Sequence, residues 1–139
     1  MSMANLIAGG FASQLAAFAE KTKLSMNTVV RKVAIDITSA LIMRSPVKTG
    51  RFRGNWVLGV GSLDTSTSDT SDKDGSEALA RITGQIAVVE AGGQVFITNS
   101  LPYALALERG HSKQAPAGMV AVTAVEMSRY LAKAVGETA

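Results

Sequence analysis

The sequence predicts an α+β fold, three to four helices packed on a small β-sheet in a single domain spanning residues 1–139, and two observations carry that prediction. Apolar residues recur at helical spacing in several separate stretches. Between them lie two short runs rich in β-branched and aromatic residues, at Trp56–Val60 and Val95–Ile97, with a helical pattern in between. A chain of 139 residues that is 47% hydrophobic can bury a core sufficient to fold as one unit. There is no cysteine, which excludes disulfides and thiolate metal sites, and no apolar run long enough to span a membrane.

Phe11, Leu15, Phe18 and Ala19 follow Gly9 and Gly10 at helical spacing and predict a first helix ending near Thr22. Gln14, Glu20, Lys21 and Lys23 interrupt the apolar residues of this region and no basic segment precedes them, so the sequence argues against a secretory signal. Val29, Val30, Val33, Ile37, Ala40 and Leu41 form one stripe of a second helix, capped by Ser25 or Asn27, with Lys32 and Asp36 as an i,i+4 pair opposite. Pro46 disfavours helical geometry at Ser45 and ends this helix, the spine of the fold, after about 28 Å.

Val47–Asn55 then reads as a basic loop hinged on Gly50 and Gly54, and Trp56, Val57, Leu58 and Val60 as a strand whose tryptophan anchors the loop to the core. The composition of 62–74 shifts to Ser, Thr and Asp, with Leu63 its only large apolar residue, and predicts a long mobile loop. Asp74 and Glu77 resemble a capping box, and Ala78, Leu79, Ile82, Ile86 and Val89 predict a third helix running to about Ala91, where Gly92 and Gly93 stop it. Val95, Phe96 and Ile97 form the second strand. Pro102 and Gly110 frame a short helix with Tyr103, Ala106 and Leu107 on one face. Val120, Ala124, Met127, Leu131 and Val135 make the stripe of a C-terminal helix closed by Gly136. Two short strands make a poor sheet alone, so either further strands exist or a neighbouring subunit supplies one.

Familiar chemistry is missing from this pattern. Asp72, Asp74 and Gly75 imitate part of a calcium loop, but Thr70 would stand first and Arg81 last, where a bidentate carboxylate is required. His111 is the sole histidine, with Glu108 at i−3 its nearest acid and no nucleophile elbow, and a helix-end pairing explains both. No phosphate loop or dinucleotide fingerprint occurs. The reading is therefore a protein with no catalytic residue, no metal and no cofactor. A formal charge of +3 is too small to argue nucleic-acid binding by itself, and the cations cluster only at Lys48, Arg51 and Arg53.

Two blocks carry a resemblance. The first is Pro46, Val47, Thr49, Gly50, Arg51, Phe52, Arg53 and Trp56; the second is Asn99, Pro102, Tyr103, Ala104, Glu108 and Gly110, followed by Ser112, Lys113, Gln114, Ala115, Pro116, Gly118 and Met119. In these positions the chain resembles the tail-completion and neck proteins of tailed double-stranded DNA bacteriophages, a family of minor tail components. Lys48 departs from the pattern, since its position is commonly acidic in the relatives. The blocks, within 45–56 and 97–120, cover about a quarter of the 139 residues.

The resemblance implies a structural virion protein, made in the host cytoplasm and located in the tail or neck. It would form a homo-oligomeric ring, in the first instance a hexamer, that joins tail to capsid and meets neighbouring connector, tail-tube or tail-terminator proteins. Tail termination and head closure are the alternatives within that class. Nonspecific contact with packaged DNA is a further implication, and a small basic DNA-binding module using the Lys48–Arg53 loop is the alternative from another class. Lys48, Arg51, Arg53, Tyr103, Glu108, His111, Lys113 and Gln114 are the expected interface residues, with Glu108 of one subunit meeting Arg51 or Arg53 of the next.

Overall fold

The computed structural model describes Ser13, Ala17 and Glu20, each helical and exposed, and then residues 25–138. The expected first helix on Phe11, Leu15, Phe18 and Ala19 otherwise lies outside the described residues. Helix α1 spans Met26–Arg44, and its N-cap is Ser25, whose side chain accepts the Thr28 N–H. Val29, Val33, Ala34, Ile37, Thr38, Leu41 and Ile42 form its buried stripe. Each fully buried aliphatic side chain there contributes about 1.5–3 kcal/mol. Ser45, in extended geometry ahead of Pro46, ends the helix as predicted.

The stretch read as a basic loop contains a single helical turn, α2 (Arg51–Gly54), started from Gly50 at φ 89°. Strand β1 (Trp56–Val60) follows and pairs antiparallel with β2 (Val95–Asn99), Trp56 opposite Asn99 and Val60 opposite Val95. The sheet has two strands among the described residues. One face presents Trp56 and Leu58, both buried, to the core around α1. The other face is crossed by the chain after Gly61: the Thr98 hydroxyl donates to the Asp64 carbonyl at 2.7 Å.

The 62–74 loop contains no helix or strand. Its second half is nonetheless tied down by polar groups, which the apolar count could not register. Asn55, buried, accepts the Ser68 N–H at 2.8 Å and donates to the Ser68 carbonyl at 3.0 Å. Asp72, also buried, accepts the N–H groups of Glu77 and Ala78 at 3.3 and 2.9 Å. Asp72, not a box of Asp74 and Glu77, therefore caps helix α3 (Ser76–Ile86); Asp74 accepts the Ser76 N–H, which holds its carboxyl below the usual range.

Helix α3 stops five residues before the predicted end at Ala91. The N-terminal half of α1 captures the segment that would have continued it: Arg31 donates to the Val89 carbonyl at 2.7 Å and Asn27 accepts the Ala91 N–H at 2.7 Å. Val89 is still buried, so the periodicity detected burial correctly and element length wrongly.

Beyond β2 come α4 (Ala104–Glu108), α5 (Val120–Val125) and α6 (Met127–Thr138). The predicted single C-terminal helix is thus two helices broken at Glu126. That carboxylate collects Arg44, Arg129 at 2.8 Å and the Tyr130 hydroxyl at 2.7 Å, and hydrogen bonds from Arg44 and Tyr130 depress its pKa. Gly136, expected to close the helix, lies inside α6. Tyr130, Leu131 and Ala134 are buried, and α6 packs on α1, as does α3. Lys32 and Asp36 do not pair with each other; they reach across to Glu137 (3.4 Å) and Lys133 (3.8 Å) on α6.

Candidate docking surface

The geometry starts from Trp56. Its indole N–H donates to the Ser45 hydroxyl at 2.8 Å, which itself donates to the Leu41 carbonyl at 2.6 Å, so the end of α1 and the start of β1 are one hydrogen-bonded unit. Phe52 packs edge-on against Trp56 at 5.8 Å between ring centroids and tilts against Tyr103 at 6.0 Å. Asn99 donates to the Phe52 carbonyl at 2.8 Å. Gln114 grips Val47 with both halves of its amide, accepting the N–H at 2.9 Å and donating to the carbonyl at 3.1 Å. The stretches 45–56 and 97–120, distant in sequence, are therefore interlocked.

Two glycines permit this. Gly50 sits in the left-handed region, and a Cβ there would stand 2.6 Å from the backbone of Asp72, whose N–H donates to the Gly50 carbonyl. Gly118, at φ 82°, brings the chain so close to Glu108 that a Cβ would meet its carboxylate carbon at 2.9 Å. That approach lets Glu108 accept three successive N–H groups, from Met119 and Val120 at 2.8 Å and Ala121 at 3.0 Å, at the start of α5.

The eight expected interface residues separate into two groups. Arg53, Glu108 and Gln114 act within the chain: Arg53 donates to the carbonyls of Ser45 (3.2 Å), Lys73 (2.9 Å) and Met43 (3.0 Å), gathering the end of α1 and the 62–74 loop. Glu108, expected to meet a neighbour's arginine, has both of its oxygens accepting backbone amides of its own chain. Among the described residues no hydrogen bond or ion pair joins His111 to Glu108, and His111 is exposed. Lys48, Tyr103, His111 and Lys113 are exposed. Arg51 donates to the Ser68 carbonyl at 3.2 Å and stands 3.5 Å from Asp69, with its side chain 40% exposed.

Next to this cluster runs a cleft of about 330 Å³, bordered by Phe52, Trp56, Leu63, Ile97, Leu105 and Met119. Leu63 and Leu105 are 45% and 50% exposed. Sequence reasoning did not find this cleft, nor the positioning roles of Ser45, Asn55 and Asp72, since each depends on at least one partner 5 or more residues away and none produces a periodic signal. Among the described residues no cluster of three or more His, Asp or Glu side chains could hold a metal ion, and no helix is long and apolar enough to cross a membrane. Compared with known protein families, with characterised proteins and with solved structures, the chain finds no match.

Proposed function

We propose that the protein is a structural virion subunit that assembles into a ring, a hexamer, at the head-proximal end of a phage tail or in the neck, and joins tail to capsid without performing chemistry. The observation that carries this reading is the interlocking of 45–56 with 97–120 through Gln114 and Val47, Asn99 and Phe52, and Phe52 and Tyr103. The residues behind the resemblance belong to one structural unit, and its outward side offers Lys48, Arg51, Tyr103, His111 and Lys113 to carboxylate-bearing neighbours. A head-to-tail contact of unlike faces closes such a ring.

The test is to purify particles from a host infected by a phage carrying or lacking the chain. The reading expects the chain in intact particles at a fixed copy number, and unjoined filled heads and tails without it. Joined, infective particles lacking the chain would refute it. A second reading, contact with DNA through the Lys48–Arg53 stretch, draws on the exposed Lys48 and the Arg51 side chain, 40% exposed. It requires log affinity to fall with log salt with a slope of roughly −3 for three phosphates contacted, whereas ring assembly persists after nuclease treatment.

A further inference from the structure

The break between α5 and α6 has no local cause. The stretch from Thr123 to Arg129 contains neither proline nor glycine, and Ala124, Glu126 and Met127 are good helix formers. Val120, Ala124, Met127, Leu131 and Val135 are spaced as one stripe of a continuous helix, yet Ala124 is exposed and Val125 is 84% exposed. At the break the N–H groups of Glu126 and Arg129 donate three residues back, to the carbonyls of Thr123 at 3.1 Å and Glu126 at 3.0 Å, a tighter winding than that of an α-helix.

A clamp from α1 imposes the break. Arg44, the last residue of α1, donates to the Thr123 hydroxyl at 3.0 Å and to the Glu126 carboxylate, which also accepts from Arg129 and Tyr130. Helix α5 is anchored apart from this clamp, by Glu108 at its first amides and by the buried Val120 and Thr123. Helix α6 is held by its docking on α1: Tyr130, Leu131 and Ala134 are buried, Lys133 stands 3.8 Å from Asp36, and Glu137 stands 3.4 Å from Lys32. Both ion pairs join α6 to α1, and nothing in them requires the two helices to belong to the same chain.

We propose that α6 is an exchangeable arm: α5 and α6 straighten through Glu126 into one helix, and α6 docks on α1 of a second copy in place of that copy's own. A second copy is the occupant because α1 already fits α6, so the same burial and the same two ion pairs form again between chains. What differs between the two states is the hinge and the cost of association. The Arg44–Glu126 contact and dilution favour the closed chain; the helical preference of Ala124, Glu126 and Met127 and a high local concentration favour exchange. Donor arm and acceptor helix are unlike surfaces, so exchange can pass from copy to copy around a ring. The inference does not rest on the virion reading, since it concerns the contact between copies wherever they assemble.

Sedimentation and zero-length carbodiimide coupling of the full chain test it, because coupling joins Lys133 to Asp36 and Lys32 to Glu137 across the ion pairs that would be exchanged. Isotope-labelled and unlabelled protein are mixed and coupled, and the linked α1–α6 peptides are read for mixed labels; the Lys133–Glu137 pair within α6 is the same-chain control. Beside the parent stand Glu126→Ala and Glu126→Gly, which both remove the clamping carboxylate and differ in helical preference by about fivefold for each hinge. Glu126→Ala is expected to raise the association constant at least tenfold over the parent and to give mixed-label links in the oligomer, with Glu126→Gly associating about fivefold more weakly than Glu126→Ala. Arg44→Gln, which breaks the contact and keeps Glu126, carries the same expected rise and serves if the alanine variant fails to fold. Oligomers whose α1–α6 links all carry a single label overturn the proposal, as do parent and hinge variants that stay monomeric at every concentration. Equal association of the alanine and glycine variants overturns it too, because a contact elsewhere on the surface does not sense helical preference at position 126.

Discussion

Replacing Glu108 by alanine separates a fold-holding carboxylate from an interface carboxylate. Its two oxygens accept the N–H groups of Met119, Val120 and Ala121. Ala121 is exposed, so water can replace its lost acceptor; Met119 and Val120 are buried, and their amides would be left unpaired. Each buried unsatisfied group costs about 1–3 kcal/mol, which gives a loss of roughly 2–6 kcal/mol for the two. An unfolding entropy of about 2.1 cal/mol/K per residue over 139 residues converts each kcal/mol into roughly 3.4 °C, so the melting temperature should fall by about 7–20 °C. Calorimetry of the isolated chain measures this directly, and Glu108→Gln, which keeps one good acceptor, should fall between variant and parent. A Glu108→Ala protein that melts within 2 °C of the parent would refute the capping role and return Glu108 to the surface as a contact residue.

Trp56, 3% exposed and bonded to Ser45, should cost about 3–5 kcal/mol on truncation to alanine, read as a shift in the urea midpoint. Glu126 is depressed by its hydrogen bond from Arg44, so its contribution is present above the unfolded carboxylate pKa and lost as pH falls through the lower folded value; Glu126→Gln should flatten the acid side of the stability–pH curve, leaving less difference between variant and parent at low pH than at pH 7. Amide exchange should divide the 62–74 loop, with Ser68 and Asp72, whose N–H groups donate to Asn55 and Gly50, protected and residues such as Thr67 exchanging fast; uniform exchange throughout would contradict the hydrogen bonds. Thr38→Val should stabilise α1 by about 1 kcal/mol, because the Thr38 hydroxyl is buried without a hydrogen-bond partner; a lower melting temperature would imply one.

Burial was legible in the sequence wherever it repeats with a period. The α1 stripe, the strands at Trp56 and Val95 and the apolar positions of α3 lie where the apolar pattern places them, since a helix or strand must present one face to the core whatever its neighbours are; the C-terminal stripe does so only in part, because the break at Glu126 leaves Ala124 exposed and turns Tyr130, Leu131 and Ala134 inward. Element ends were legible only where local chemistry sets them, as Pro46 does for α1 and Gly110, at φ 89°, does after α4. Where the end is decided by a distant side chain the pattern overran, because Asn27 and Arg31 intercept the chain after Ile86 and Arg44 reaches the break at Glu126.

The same distinction explains the candidate site. A polar side chain in a turn-rich segment has two futures, solvent and partners or the chain's own orphaned amides, and its residue type is the same in both. Glu108 lies ten residues or more before the amides it caps, Gln114 lies 67 residues from Val47, and Arg53 collects carbonyls from two separate segments. None of these pairings is periodic, and each becomes visible only when the backbone is closed. Once they are assigned inward, the surface left for partners is smaller than the sequence suggested: Lys48, Arg51, Tyr103, His111 and Lys113, with a largely apolar cleft at Phe52, Leu63 and Leu105.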